Sequence, residues 1–141
     1  MIKKVRLKPI TIDDMHFLAQ YAAICDGISN RMKIIAIEQR LKKRFKNENY
    51  LGVIAFIDKE RVGFQDGIIK NGNLELNEIY VCEKYRGLCI GTKLLKKMLL
   101  YSKAKSIKRV IFITEPDNKP MIKLAKRIHF NLSGLIYEKG L

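Results

Sequence analysis

A strand that runs into a basic, glycine-punctuated turn and then directly into a helix constrains this chain more than any other segment. The strand end and turn occupy residues 81–92, VCEKYRGLCIGT, and a helix is predicted over residues 93–105. A helix N-terminus presents unpaired N–H groups and about half a positive charge, so a turn whose amides point the same way holds an anion. Arg86 adds a cationic fork, and Gly87 and Gly91 let the backbone approach a ligand closely. The segment therefore predicts a phosphate or pyrophosphate site.

The spacing of the glycines excludes two common phosphate-binding turns. Residues 86–91 read RGLCIG, which matches neither the dinucleotide-binding G-x-G-x-x-G nor the P-loop G-x-x-x-x-G-K-S/T. The turn resembles instead the Q/R-x-x-G-x-G/A turn of the GNAT N-acetyltransferase superfamily. In that superfamily the turn binds the pyrophosphate and pantetheine of acetyl-coenzyme A.

The resemblance extends on both sides of the turn. Residues 74–81 are similar to the fourth strand of the family, residues 93–105 to its third helix and residues 110–114 to its fifth strand. Residues 118–130, NKPMIKLAKRIHF, resemble the N-x-x-A-x-x-L-Y-x-x-x-G-F segment that follows. The first half of the chain matches the family only in the order of its elements.

Three residues depart from the family pattern. Cys89 replaces the middle glycine of the turn, which implies about 1 kcal/mol of strain if this residue takes a positive φ. Ala125 replaces the tyrosine whose phenol, in many members, is placed to protonate the departing thiolate, so the acid must lie elsewhere or be absent. His129 replaces the later glycine and is interpreted as a structural residue.

The remaining elements follow from residue patterns. Alternating and helical spacing predict the secondary structure along the whole chain. The predicted strands are 3–8, 50–57, 62–69, 74–81, 110–114 and 130–137, and the predicted helices are one capped by Thr11 that ends before Asp26, 31–46, 93–105 and one that begins at Asn118. This order is that of the resembled family and implies an α/β (α+β) fold, with a mixed, mostly antiparallel central sheet and helices on both faces. The 141 residues are predicted to form one domain, residues 1–141.

The chain is strongly basic. It has 28 Lys and Arg against 14 Asp and Glu, a formal net charge of +14. That charge fits a solvated surface, or a polyanionic partner such as RNA, an acidic peptide or a nucleotide. The densest cluster, residues 40–46, surrounds a predicted helix axis and lacks the interleaved aromatic residues that stack bases. A nucleic-acid partner therefore stays open, and coenzyme A, itself a polyanion, would use part of the charge.

The cysteines and the apolar runs indicate where the chain is expected to reside. Its 3 cysteines lack the spacing of a disulfide framework or a zinc site, so no metal is predicted. No apolar run approaches the length of a membrane span, and the N-terminus leads into a charged strand. We expect a soluble, cytoplasmic protein without a membrane partner, either monomer or homodimer.

The resemblance implies residues for catalysis at the end of the strand 74–81. In the family, backbone N–H groups there polarise the thioester carbonyl, and the corresponding positions are Tyr80, Val81 and Cys82. Glu78 is the first choice as general base and Glu75 the alternative, although either glutamate is equally typical of a solvated strand. Strand alternation puts Glu78 and Tyr80 on one face and Glu75 on the other, so only one glutamate is expected to face the acceptor.

The sequence offers several candidate residues for the general acid, for contact with the acceptor and for binding of the cofactor. Tyr80, Tyr137 and Cys82 could each replace the missing phenol, with core packing as the alternative for Tyr80 and Cys82. Asp26 and Asn30 are candidates for contacting an amine, with an ordinary turn as the alternative. The cofactor-binding positions implied by the family are Val81, Cys82, Arg86, Gly87, Leu88, Cys89, Ile90, Gly91, Thr92 and Asn118, the last of which is also a predicted helix cap.

Taken together, the resemblance implies an enzyme that moves an acetyl group from acetyl-coenzyme A, its co-substrate, to a primary amine. The acceptor is not identified, and a basic surface makes an acidic acceptor plausible. Two alternatives follow from the departures and the charge. One is a degenerate member of the same fold that binds coenzyme A or regulates without turnover, and the other is a basic RNA-binding domain.

Overall fold

The computed structural model describes residues 4–25 and 27–141. Its strands are β1 (Val5–Pro9), β2 (Tyr50–Ile57), β3 (Glu60–Lys70), β4 (Asn73–Val81) and β5 (Arg109–Ile111), and its helices are α1 (Met15–Cys25), α2 (Arg31–Phe45), α3 (Ile90–Ala104) and α4 (Lys119–Arg127). The sheet order is β1-β2-β3-β4-β5. Neighbouring strands are antiparallel from β1 to β4, and β5 is parallel to β4. The predicted fold class, a mixed and mostly antiparallel sheet with flanking helices, is confirmed.

The helices cover the two faces of the sheet because their apolar residues recur at helical spacing. Leu18 of α1 and Ile37 of α2 are buried together with Ile54 and Phe64 of the sheet. On the opposite face, Leu94 of α3 is fully buried in a second cluster with residues of β2 and β4. Within residues 4–25 and 27–141, no helix is long and apolar enough to cross a membrane.

The turn into α1 is held by ion pairing as well as by capping. The Thr11 N–H donates to Asp14 Oδ2 at 2.7 Å, and Arg61 Nε donates to Asp14 Oδ1 at 2.8 Å. Residues Ile12–Asp14 form a short 3-10 turn before the helix begins at Met15. The predicted Thr11 start therefore leads into a tight turn, and Arg61 on β3 ties that turn to the sheet.

A bulge in β4 changes which side chains share a face. Asp66 pairs with Glu78 and the next residue of β3, Gly67, pairs with Leu76, so Asn77 is an extra residue in β4. Leu76 before the bulge and Ile79 after it consequently pack on the same α3 face. The prediction that Glu75 and Glu78 lie on opposite faces is wrong, because the extra residue shifts the alternation by one.

The last predicted strand does not form. Residues 130–137 have no regular secondary structure, and residues 131–141 are exposed. In the part of the chain that the structure describes, the sheet ends at β5 and offers this segment no paired strand. Unpaired backbone groups and unburied apolar side chains give a strand no stabilisation, and Gly134 lacks a side chain to pack.

Candidate active site

A cleft lies between β4 and β5, beyond the point where the two strands pair. The two strands pair only from Asn73 with Arg109 to Glu75 with Ile111, and beyond the bulge at Asn77 they diverge. The space that opens is a cavity of about 260 Å³. It is lined by Tyr21, Ala22, Cys25, Phe64, Gln65, Leu76, Asn77, Glu78, Ile79, Tyr80, Phe112, Ile113, Thr114, Asn118 and Met121. The predicted strand 110–114 is shorter than expected because its last three residues leave the sheet and form one wall of this cavity.

The backbone N–H groups of β4 alternate between the two edges of the strand. The Cys82 N–H donates to Val62 O of β3 at 2.8 Å. By alternation the Tyr80 N–H also faces β3, whereas those of Ile79 and Val81 face the opposite edge, where the cleft opens. Of the three predicted positions, only Val81 therefore offers its N–H on the side of the cleft. The sequence analysis missed Ile79 because no residue pattern indicates which edge of β4 a backbone N–H faces.

The turn after β4 has the geometry of an anion site. The first intrahelical bond of α3 runs from the Lys93 N–H to Cys89 O at 3.1 Å, so the N–H groups of Ile90, Gly91 and Thr92 precede it. Helix α3 begins three residues earlier than the predicted start at 93, directly after Cys89. The turn is therefore continuous with the first turn of α3, which presents these three N–H groups.

Arg86 is oriented by the end of β4. Its Nε donates to Val81 O at 3.0 Å, and its guanidinium carbon lies 5.9 Å from the centre of the Tyr80 ring. The side chain remains exposed. Arg86 thus links the anion turn to the mouth of the cleft, which places its positive charge at the junction between them.

Glu78 and Glu75 differ in their surroundings. Glu78 lines the cleft. Glu75 lies outside it and is 3.4 Å from Lys70 Nζ, an exposed ion pair. The bulge puts both side chains on the same face of β4. The two carboxylates therefore differ in their position along the strand and not in the face that they occupy.

A family model described as the acetyltransferase (GNAT) family matches residues 21–130. The chain belongs to the GNAT family. This match covers more than half of the chain and includes the turn and the cleft, so the family resemblance drawn from the motif is confirmed.

Individual relatives are more distant. The chain is 34% identical over 86 residues to mycothiol acetyltransferase of Corynebacterium glutamicum (strain R), which covers 57% of the chain and only 29% of that relative. An aminoglycoside antibiotic 6'-N-acetyltransferase from Acinetobacter baumannii has a TM-score of 0.77 at 15% identity, with 98% of this chain and 99% of that one covered. PaiA N-acetyltransferase from Thermoplasma acidophilum, solved in complex with coenzyme A, has a TM-score of 0.72 at 20% identity, covering 92% and 91%. These likenesses show the fold.

An aromatic cluster of this GNAT domain borders the cleft. Tyr80 and Tyr21 have ring centres 4.3 Å apart, and Tyr80 stacks on Phe64 at 6.3 Å. The Cys82 thiol donates to the Tyr21 hydroxyl at 2.9 Å. Burial raises the pKa of both phenols, so each keeps its proton at neutral pH. Tyr21 is a candidate acid that sequence reasoning missed, since α1 matched the family only in element order.

The other predicted residues are placed as follows. Asn118 caps α4 by accepting the Met121 N–H at 3.3 Å, and it also lines the cleft. Asn30 caps α2 by accepting the Met32 and Lys33 N–H groups and does not line the cleft, which fits its alternative interpretation as a turn residue. Asp26 lies outside the described residues. Tyr137 is 87% exposed and is not part of the cleft, because the strand that was to carry it does not form.

Cys89 and His129, which replace glycines of the family pattern, both have a left-handed backbone conformation. Cys89 has φ 61° and His129 has φ 66°. The His129 N–H donates to Lys126 O and the next N–H donates to Ala125 O, so His129 ends α4 as a structural residue. Cys89 carries the strain that the sequence implied, since its Cβ is unfavourable at this φ.

The strain at Cys89 gives a prediction for stability. We expect Cys89→Gly to be more stable than Cys89→Ala by about 1 kcal/mol, since both variants lose the thiol and only glycine relieves the left-handed strain. Urea unfolding of the two variants measures the difference. Equal stabilities would show that the turn does not hold this residue at a positive φ in solution.

Proposed function

We propose that the chain transfers an acetyl group from acetyl-coenzyme A to a primary amine, by direct attack of the amine on the thioester. One observation carries this proposal: β4, whose Ile79 and Tyr80 line the cleft, leads into the turn at the start of α3, and the Arg86 guanidinium carbon lies 5.9 Å from the centre of the Tyr80 ring. Membership of the acetyltransferase (GNAT) family supports it. The coenzyme A complex of PaiA, which shares the fold, supports the choice of donor.

The cleft accounts for the binding of an extended donor. The N–H groups of Ile90, Gly91 and Thr92 and the guanidinium of Arg86 are suited to the pyrophosphate. Asn118 and the edge of β4 at Val81 border the path toward the bulge. The thioester then lies beside the outward N–H of Ile79, which is placed to polarise its carbonyl and to stabilise the oxyanion that forms on attack.

The proton transfers fall to Glu78 and to two phenols that also line the cleft. Glu78 is placed to take a proton from the incoming ammonium, directly or through water. The phenols of Tyr21 and Tyr80 are protonated at neutral pH, and burial raises the pKa of both, which makes them weaker acids. Either phenol can donate a hydrogen bond to the departing thiolate, the contact that Ala125 cannot make.

The acceptor side of the site combines aromatic faces with charges of both signs. A second, more open depression shares Tyr21 and Tyr80 with the cleft and is also lined by Glu60, Glu83 and Lys84, with Lys84 Nζ 3.1 Å from Glu60 Oε1. A carboxylate beside aromatic faces favours an ammonium group. The reactive amine is therefore proposed to meet the Tyr21 and Tyr80 rings and Glu83, whereas the basic surface elsewhere suits an acidic remainder of the acceptor.

The experiment that tests the function is a calorimetric titration of the protein with acetyl-coenzyme A, with coenzyme A and ATP as controls. Micromolar binding that prefers acetyl-coenzyme A is expected, followed by release of thiol in a screen of amines. Absence of binding would contradict the proposal and favour the degenerate module that Cys89 and Ala125 motivated.

The proposed base gives a second prediction. We expect Glu78→Gln to lower kcat by about a hundredfold, the usual contribution of a general base, while Kd for acetyl-coenzyme A stays within twofold. Glu75→Gln is the matched control and should retain turnover, since Glu75 lies outside the cleft. Rate measurements from pH 6 to 10 with a reactive amine check both variants. If Glu78→Gln turns over normally across that range, the base is another group.

A further inference from the structure

Arg127 of α4 is a cation beside the start of α3 that the proposed donor site does not use. Its Nη1 donates to the Thr92 hydroxyl at 3.4 Å. Thr92 is one of the three residues whose backbone N–H groups precede the first intrahelical bond of α3. The Arg127 side chain is exposed, and a guanidinium has further N–H donors beyond the one that Thr92 uses. Its charge therefore lies where the donor's phosphates are proposed to bind.

The packing of α4 holds Arg127 in this place. A Cβ added to Gly91 would lie 3.9 Å from Leu124 Cδ2, so α4 lies against the first turn of α3. Leu124 and Ile128 also pack on the apolar cluster beneath α3. Arg127 follows Leu124 by one helical turn and therefore projects from the same side of α4.

The charge of Arg127 is not neutralised within the described part of the chain. No carboxylate among residues 4–25 and 27–141 forms an ion pair with it. Its recorded partner is the Thr92 hydroxyl, which is uncharged. An anion at the start of α3 would supply the missing countercharge.

Arg86 and Arg127 approach the start of α3 from opposite faces of the sheet. The Arg86 guanidinium lies over the ring of Tyr80, which packs on the face covered by α1 and α2. Arg127 belongs to α4, whose Leu124 packs on the face covered by α3. Two guanidinium groups on two sides of one set of N–H groups suit an anion with two phosphate groups better than a single phosphate.

We propose that Arg127 is a second guanidinium of the donor's pyrophosphate site, so that Arg86 and Arg127 hold the two phosphates from opposite faces. The inference rests on the proposed function and extends it, since it names a donor-binding residue on α4. The bond to the Thr92 hydroxyl orients the guanidinium. The remaining N–H groups are then suited to phosphate oxygens.

The test uses two ligands that share the pyrophosphate and differ in the 3'-phosphate, namely coenzyme A and dephospho-coenzyme A. Arg127→Gln removes the cation, and Arg127→Lys keeps the charge. Lys126→Gln is the matched control, because it makes the same change in charge at the neighbouring exposed residue of α4. Calorimetry at 0.05 M and 0.3 M salt gives Kd, and thermal unfolding without ligand gives the effect on the fold.

We expect Arg127→Gln to raise Kd about fivefold to tenfold for both ligands at low salt, the loss of one exposed, charged hydrogen bond. Arg127→Lys should stay within about threefold of the wild type and Lys126→Gln within about twofold. The loss in Arg127→Gln should shrink at 0.3 M salt, because salt screens an exposed charge. A role confined to the packing of α4 on α3 would not respond to salt in this way.

A loss for coenzyme A alone would show that Arg127 binds the 3'-phosphate and would overturn its place in the pyrophosphate site. An unchanged Kd in Arg127→Gln, or a loss that persists at 0.3 M salt together with a lower Tm, would overturn the binding role altogether. In each of these cases the wild type still binds and the proposed function stands. If the wild type binds neither ligand, the proposed function fails and this inference fails with it.

Discussion

Arg86→Glu is expected to raise the Kd for acetyl-coenzyme A by about a hundredfold or more. A charged hydrogen bond to an anion contributes about 1.5–3 kcal/mol, and the new carboxylate adds repulsion of the pyrophosphate. The Arg86 side chain is held at the junction of the turn and the cleft by its bond to Val81 O. The charge reversal therefore acts where the donor's phosphates are proposed to bind, and calorimetric titration measures it.

Two controls separate the local charge from the net charge of the chain. Lys103→Glu makes the same change in charge in the last turn of α3, about 20 Å from the turn, and should alter Kd by less than threefold at 0.15 M salt. Arg86→Gln keeps a donor for Val81 O without the cation and should bind with intermediate affinity. An Arg86→Glu variant that binds as tightly as Lys103→Glu would show that the pyrophosphate lies elsewhere.

Local signals in the sequence predicted most of the elements. The strand predicted at 50–57 is β2 itself, and the helix predicted at 31–46 differs from α2 by one residue. Helical spacing and the Asn30 cap determine such elements without help from the rest of the chain. The turn that leads into α3 could also be predicted, since glycine, arginine and a helix start are consecutive in sequence, and its anion-binding role stays a prediction.

The features that shape the cleft are not local. The bulge at Asn77 is a property of the register between β3 and β4, and no residue type marks it. Gln65 and Ile79 meet across two strands, and Tyr21 reaches the cleft from α1. The strand that was to carry Tyr137 was predicted and does not form. Its segment has the alternation of a strand but lacks a paired neighbour among the described residues. Pairing between distant segments decides each of these outcomes.

The same bulge lies beside a buried ion pair whose loss should be the largest change in stability. Asp66 is fully buried, and its Oδ2 accepts hydrogen bonds from Arg44 Nη2 at 2.8 Å and from the Tyr50 hydroxyl at 2.9 Å. Burial raises the pKa of Asp66, and Arg44 and Tyr50 oppose that rise. Removal of Arg44 would leave a carboxylate in the core without its cation.

We expect Arg44→Met to lower the free energy of unfolding by about 3–5 kcal/mol at pH 8. Because the pKa of Asp66 is raised in the folded state, that state holds its proton at pH values where the unfolded carboxyl has lost it. Stability of the variant should therefore fall as pH rises from the ordinary carboxyl pKa of 3.8 through the folded pKa, and the loss should be smaller at pH 5 than at pH 8. Urea unfolding at the two pH values measures this, with Lys43→Met as the exposed control on α2.

A second substitution connects this network to the proposed catalysis. Arg44→Met combined with Asp66→Asn removes the buried charge together with its cation and should recover more than half of the lost stability. Asp66 is the direct partner of Glu78 across the bulge, so a network that holds Asp66 also fixes the strand position of the proposed base. Recovered stability with turnover still reduced is the result expected if the ion pair positions Glu78. Recovery of both stability and turnover would show that the network serves the fold alone.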